Sequence, residues 1–141
     1  MKKLRLSLLL SVLSFFSQGF TPAKPVFPNE IIGFYWSPKK DAKVEIYLKS
    51  GKYYGKFIWA ATPRKDSNNP TKALQNRPIL GLEFLTRFEY DDGVYDGGEI
   101  YDLETGKTYS CKMSLEGNKL KVRGYIGISL FGRTEYFERI K

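Results

Sequence analysis

The chain has 141 residues, with 23 lysines and arginines, 15 aspartates and glutamates, and no histidine. Without histidine it can form neither a Ser-His-Asp nor a Cys-His catalytic site, and it lacks the commonest ligand of zinc, copper and haem. We therefore expect no metal and no cofactor. The net charge of +8 raises nucleic acid as a partner, but the export predicted below disfavours it, and a solvated basic surface is the favoured interpretation.

Residues 1–19 have the pattern of a secretory signal peptide. Three of the first five residues are basic, an apolar run follows at residues 6–16, and Ser17-Gln18-Gly19 provides small residues for cleavage. The apolar run is shorter than the roughly 20 residues that a membrane-spanning helix needs, which disfavours a transmembrane anchor. We predict cleavage after Gly19 and a mature protein that is periplasmic or secreted.

The remainder divides into a short arm and one domain. Residues 20–30 contain three prolines, and we expect a flexible arm there because such terminal segments are rarely tied down. Residues 31–141 are enough for a single domain and too few for two. Because Cys111 is the only cysteine, this domain has to fold without an intramolecular disulfide.

From residue 31 onward, short segments rich in Val, Ile, Tyr, Phe and Trp alternate with clusters of Gly, Asp, Asn and Lys. This pattern is typical of β-strands joined by turns. Closure of the strands into a barrel would remove the exposed edges of an open sheet. We predict an all-β fold, a single eight-stranded antiparallel up-and-down barrel. The predicted strands are residues 31–36, 43–49, 53–60, 79–90, 99–102, 107–115, 119–126 and 133–140.

The alternation of side chains predicts which aromatic residues face the barrel interior. Trp59 is on the face of the third strand that is opposite Lys56, and Phe84 and Phe88 are on the face of the fourth strand that is opposite its charged residues. Tyr109 is on the apolar face of the sixth strand. The interior of an eight-stranded barrel is just wide enough to be filled by side chains or to hold one small ligand. A filled core and a pocket lined by these aromatics are therefore both open.

The connection at residues 61–78 is far longer than a hairpin loop. Within it, Asn69-Pro70 reads as a helix start, and residues 71–76 are predicted to form one or two helical turns before Pro78. Long ordered loops in compact domains are often lids, so this loop could cover one mouth of the barrel.

Arg123 and Arg133 flank a glycine-rich stretch near the C-terminus. An arginine fork binds carboxylate or phosphate bidentately, so either residue could meet an anionic headgroup. The alternative is that each pairs with a nearby acidic residue or covers the barrel end with its aliphatic stem. Alternation places Arg123 on the face of its strand that is opposite the apolar Leu120 and Val122, and therefore outside the barrel. Arg133 is the better candidate for a ligand contact.

Carboxylates are the remaining candidates for acid-base chemistry, because a glycosidase needs two of them across a cleft. Six lie between residues 91 and 104, among them Glu99 and Asp102, but most adjoin a glycine or occupy a turn position, and residues 91–98 are predicted to be turn. Cys111 shares a face with apolar side chains, which favours packing over nucleophilic chemistry. We expect that the protein is not an enzyme, with a carboxylate-dependent hydrolase as the less favoured alternative.

These features favour a protein that binds a small amphipathic or lipophilic ligand in the barrel. Trp59, Phe84, Phe88 and Tyr109 would contact its apolar part and Arg133 its polar end. The alternative is an interaction module with a solid barrel, which contacts an envelope surface through an outward basic stripe. That stripe consists of Lys119, Lys121, Arg123 and Tyr125.

Several motifs follow one another along the predicted domain: Tyr53-Tyr54-Gly55-Lys56-Phe57-Ile58-Trp59, Arg77-Pro78-Ile79-Leu80-Gly81-Leu82, Gly97-Gly98-Glu99-Ile100-Tyr101-Asp102 and Gly106-Lys107-Thr108-Tyr109-Ser110-Cys111. In these motifs and their order the chain resembles the exported bacterial proteins grouped as domain of unknown function 2147. The resemblance implies a lipocalin-like (calycin-like) barrel, of the kind that carries small apolar ligands in true lipocalins. The function of the family is unassigned, so a carrier role rests on analogy of fold.

The resemblance also implies a closing contact, in which a late arginine packs over an early tryptophan. The lipocalin-like opening is Gly-x-Trp, whereas in this chain, counted from Gly33 as the first position, Tyr35 is in the third position and Trp36 is in the fourth. Either Tyr35 takes the place of the tryptophan or the chain bulges by one residue. The late arginine is Arg139, and Phe137 stands where the family usually has tryptophan.

Overall fold

The computed structural model describes residues 27–141. The predicted signal peptide at residues 1–19 and residues 20–26 of the predicted arm lie outside this range. Within it, no helix has the length and apolar character needed to cross a membrane. The described residues form β-strands, loops and two short 3-10 helices, Pro28–Ile31 and Lys72–Leu74.

Eight antiparallel strands form a closed barrel, in which each strand pairs with the next and the last pairs with the first. The prediction of an eight-stranded up-and-down barrel is confirmed. Alternate residues are buried along most strands because one face of each strand looks into the barrel. The strands are β1 Gly33–Trp36, β2 Ala42–Lys49, β3 Lys52–Ala60, β4 Glu83–Asp91, β5 Val94–Asp102, β6 Lys107–Glu116, β7 Lys119–Tyr125 and β8 Gly132–Arg139.

The fifth strand is longer than predicted, because residues 94–98 belong to β5 and not to a turn. Gly98 faces the interior, where a Cβ atom would lie 2.5 Å from the ring of Phe88. A glycine is needed there for close packing rather than for chain reversal. The chain reverses at Asp92-Gly93, whose φ angles of 45° and 88° suit a tight hairpin turn.

The 3-10 helix Pro28–Ile31 covers one end of the barrel, which we call the closed end. Three buried tyrosines hold it in place. The hydroxyls of Tyr35 and Tyr95 donate to backbone carbonyls of this helix at 2.7 and 2.6 Å, and that of Tyr53 donates to Oδ1 of Asn29 at 2.8 Å. This part of the predicted arm is therefore packed against the barrel and is not a flexible extension.

Arg139 joins the last strand to the first at the closed end. Its guanidinium carbon lies 5.0 Å from the centroid of the Tyr35 ring, and its Nη2 donates to the Tyr35 hydroxyl at 2.7 Å and to the carbonyl of Glu30. Because β1 pairs with β2 without a shift in register, Tyr35 occupies the tryptophan position and there is no bulge. Burial raises the pKa of Tyr35 to about 12, against the opposing effect of Arg139, so the hydroxyl stays protonated at neutral pH.

Apolar and aromatic side chains fill the barrel from the closed end to its middle. Tyr53 and Tyr95 pack edge to face with their ring centroids 5.0 Å apart. Cys111 belongs to this core, and burial raises the pKa of its thiol to about 12, so it is a packing residue with little thiolate character. The fully buried apolar side chains include Tyr35, Val44, Ile46, Leu85, Phe88, Tyr95, Cys111, Met113 and Leu120.

We expect the Tyr35→Phe substitution to lower the free energy of unfolding by about 1–3 kcal/mol, because the Ile31 carbonyl and Arg139 lose a shared partner. Urea denaturation measures the difference. Tyr136→Phe is the matched control, since Tyr136 is exposed on the outside of β8 and its loss should cost less than about 0.5 kcal/mol. Equal stability of the two variants would contradict a closing role for the Tyr35 hydroxyl.

Candidate ligand-binding site

The opposite end of the barrel, which we call the open end, contains a cavity of about 780 Å³. Small-molecule sites usually measure roughly 300–1,000 Å³, so the cavity is large enough for a compact ligand. The barrel is thus filled with side chains in its closed half and hollow in its open half. Of the two interiors considered from the sequence, a filled core describes the first half and a pocket the second. The apolar side chains of the cavity wall include Ala42, Phe57, Ala60, Ile79, Ile100, Val122 and Phe137.

Of the five site residues predicted from the sequence, Tyr109 and Arg133 line this cavity. Phe84 and Phe88 are buried but lie behind the cavity wall or below it. The ring of Phe84 stacks on that of Phe57 at a centroid distance of 4.2 Å, so it supports a lining residue. Phe88 belongs to the filled half, and both phenylalanines shape the cavity without forming its surface.

Trp59 lies on the outer surface, 41 % exposed, so its placement inside the barrel was wrong. The pairing of β2 with β3 shifts by one residue next to Lys43. This β-bulge reverses the alternation after Phe57, so Trp59 turns outward and Ala60 turns inward. Outside the barrel, the Trp59 ring meets Trp36 edge to face at 6.0 Å, with the ammonium of Lys43 beside both rings.

Arg133 reaches the cavity from β8, together with Glu135 and Phe137 on the same face of the strand. Its Nη2 lies 3.1 Å from Oε1 of Glu135. The guanidinium that we expected to meet an anionic headgroup therefore already has a carboxylate partner. Sequence reasoning missed Glu135, although the alternation that points Arg133 inward places Glu135 inward as well.

Arg123 lies outside the cavity and holds the loop between β7 and β8. Its Nε donates to the carbonyl of Ser129 at 2.8 Å, and its Nη1 donates to Oγ1 of Thr134 at 2.8 Å. Further along the predicted basic stripe, Nζ of Lys121 lies 3.4 Å from Oε1 of Glu116. These two charges of the stripe are thus engaged within the chain.

The loop at residues 126–131 forms one side of the cavity mouth and was not recognised from the sequence as part of a site. Ile126 and Phe131 line the cavity, and their exposed fractions are 70 % and 69 %. Ile128 and Leu130 are also exposed. An apolar ligand in the mouth would cover some of this surface and so remove it from water.

The long loop at residues 61–82 forms another wall, and Asp66 fixes its position. This fully buried carboxylate accepts hydrogen bonds from the Tyr101 hydroxyl at 2.6 Å, the Asn69 amide at 2.8 Å and Nε of Arg77 at 2.9 Å. Burial alone would raise the pKa of Asp66, but these hydrogen bonds hold it below its ordinary value. Because Tyr101 belongs to β5, the network ties the loop to the barrel.

A second attachment joins the same loop to the turn between β5 and β6. The side-chain amide of Asn68 donates to the carbonyls of Leu103 and Glu104 at 3.1 Å. Gly106 permits this approach, because a Cβ atom there would lie 1.9 Å from the carbonyl oxygen of Asn68. The loop is therefore a fixed wall, and its predicted helix at residues 71–76 is shortened to the single turn Lys72–Leu74.

The two carboxylates considered for hydrolysis lie on opposite faces of β5. Glu99 is on the outside, where its Oε1 lies 3.1 Å from Nη2 of Arg87. Asp102 lines the cavity and accepts a hydrogen bond from the backbone nitrogen of Glu104 at 2.8 Å. They do not face each other across a cleft, as a glycosidase pair would. Among residues 27–141, no group of Cys, Asp and Glu has a spacing that could hold a metal ion.

Comparison with known proteins agrees with this architecture. Residues 33–139 match the family described as uncharacterized protein conserved in bacteria (DUF2147). The chain belongs to this family. The solved structure of HP1028 from Helicobacter pylori, described as belonging to the lipocalin family, is similar with a TM-score of 0.71 and 26 % identity, over 79 % of this chain and 84 % of that chain. No curated protein matches the chain.

We expect Asp66→Asn to lower the free energy of unfolding of this DUF2147 domain at neutral pH, because Arg77 loses a charged partner. The expected loss is about 1–2 kcal/mol, since Arg77 is partly exposed and water weakens its ion pair. The folded pKa of Asp66 lies below its ordinary value of 3.8. Its contribution is therefore complete above the unfolded pKa and is lost as the pH falls through the folded value.

Urea denaturation between about pH 2 and pH 7 tests this expectation. The difference between the variant and the natural protein should narrow as the pH falls below about 4. Asp91→Asn is the control, since Asp91 is exposed at the closed end. A pH-independent difference for Asp66→Asn would contradict the charged network.

Proposed function

We propose that this protein binds a small, mainly apolar ligand in the cavity at the open end of its barrel. The observation that carries the proposal is the cavity itself. Protein interiors are close-packed, so a hollow of about 780 Å³ departs from the usual packing of a core. Burial of an aliphatic chain there would contribute about 0.8 kcal/mol for each methylene removed from water, before the cost of association.

The walls of the cavity support this function because they are preorganised. The Asp66 network and the contact of Asn68 with the β5–β6 turn fix the long loop. Arg123 fixes the loop at residues 126–131. A ligand entering such a site does not have to order these loops, and that lowers the cost of binding.

The proposal includes export and the absence of catalysis. The signal-peptide pattern of residues 1–19 supports a periplasmic or secreted protein. Burial keeps the Cys111 thiol protonated, so it is a poor nucleophile. Glu99 lies outside the barrel and does not form a pair with Asp102 at the cavity. The likeness to HP1028, a member of the lipocalin family, supports a binding role by analogy of fold.

The interaction module remains the second candidate, and the hydrolase the third. Neither is favoured by a specific contact, since the basic stripe is partly paired within the chain and the barrel is not solid.

We expect the neutral fluorescent probe N-phenyl-1-naphthylamine to bind the natural protein, and Ala60→Trp to weaken binding at least about tenfold, because the larger side chain points into the cavity. Trp59→Ala is the matched control and should retain binding, since Trp59 is on the outer surface. Fluorescence titration measures both, with direct excitation of the probe. Equal loss in both variants, or no binding to the natural protein, would contradict a ligand site at the open end.

Native mass spectrometry of protein purified from its own cell envelope tests the same proposal without a chosen probe. A retained small molecule that disappears in Ala60→Trp would support the cavity as its site. Turnover of glycan or ester substrates that is lost in Asp102→Asn, without unfolding, would instead support the hydrolase.

A further inference from the structure

The charged side chains of the cavity wall are mainly acidic. Four carboxylates and two guanidinium groups line it, although the whole chain has a net charge of +8. These charges lie at the mouth of the cavity, where 80 % of the Arg133 side chain is exposed, so water and salt reduce but do not abolish their effect on a ligand. The six residues are Asp41, Arg64, Asp102, Glu104, Arg133 and Glu135.

Both guanidinium groups are already paired with carboxylates of the same wall. Nη2 of Arg64 lies 2.6 Å from Oε1 of Glu104, and Nη2 of Arg133 lies 3.1 Å from Oε1 of Glu135. An anionic ligand would have to share these cations with carboxylates or displace them. Displacement would leave a carboxylate without its partner beside the ligand, which is unfavourable.

Asp41 and Asp102 are the two remaining carboxylates, and neither takes part in an ion pair with another residue in the range 27–141. Each accepts one hydrogen bond at 2.8 Å, Asp41 from the hydroxyl of Ser37 and Asp102 from the backbone of Glu104. A carboxylate can accept several hydrogen bonds, so both retain acceptor capacity for a ligand.

We infer that the polar end of the ligand is cationic or an uncharged hydrogen-bond donor, and that fatty-acid-like anions are selected against. This inference rests on the proposed function and identifies the chemical class of its ligand. The apolar part occupies the hollow half of the barrel, and an ammonium or hydroxyl group meets Asp102, Asp41 or Glu135 at the mouth. The selectivity against anions therefore comes from the pairing of Arg133 with Glu135 and of Arg64 with Glu104.

Three ligands with the same ten-carbon chain test the inference: decanol, decylammonium and decanoate, each below its micellar concentration. Each is used to displace N-phenyl-1-naphthylamine from the natural protein at low salt. We expect decanoate to bind roughly three- to tenfold more weakly than decanol, as partly exposed like charges imply. Decylammonium should bind at least as tightly as decanol, and its advantage over decanoate should shrink at high salt.

A matched pair of variants tests the role of the ion pair. Glu135→Gln removes a negative charge and frees Arg133, so the ratio of decanoate affinity to decanol affinity should rise roughly three- to tenfold. Arg133→Gln leaves Glu135 without its partner, so the same ratio should fall, and binding of decylammonium should become tighter. Thermal unfolding of each variant checks that the barrel remains folded.

The outcomes separate this inference from the proposed function. If none of the three ligands displaces the probe and the probe itself does not bind, the proposed function fails. If decanoate binds the natural protein as tightly as decanol or more tightly, the function stands and the inference is overturned. Shifts of the same sign in both variants would also overturn it, because they would show that the pair does not set the preference.

Discussion

The contact of Arg139 with Tyr35 is the interaction on which the closed barrel depends. β1 has four residues and pairs with β8 only at Tyr35 with Arg139 and at Trp36 with Glu138. So short a ladder gives few hydrogen bonds, and the guanidinium adds a cation–π contact and hydrogen bonds to Tyr35 and to the 3-10 helix. One side chain thus joins the last strand, the first strand and the segment that covers the closed end.

The two ends of the barrel differ in how closely their inward side chains pack. Tyr35, Tyr53, Tyr95 and Phe88 occupy the closed half, where the tyrosine hydroxyls find partners in the 3-10 helix. At the open end, aromatic side chains such as Phe57, Tyr109 and Phe137 line the cavity beside the small Ala42 and Ala60, and the loop at residues 61–82 extends the wall. A barrel of eight strands has room for either arrangement, and the distribution of volume along the strands makes one half core and the other half cavity.

Ion pairs engage both guanidinium groups of the cavity wall. Buried Asp66 is stabilised by its hydrogen bonds and positions a loop, so its charge serves the architecture. At the mouth, Arg133 is paired with Glu135 and Arg64 with Glu104. The wall of the proposed binding site is therefore mainly acidic, although the chain has a net charge of +8.

The sequence by itself determined the eight strands, their antiparallel order and the position of Tyr109 on the inner face of its strand, because alternation and turn residues act locally along each strand. Only the tertiary structure decided that Trp59 turns outward, since a β-bulge depends on the register between two strands. It also decided that Gly98 serves packing against Phe88 and that Arg133 has Glu135 as its partner, because volumes and ion pairs depend on which side chains meet when the barrel closes.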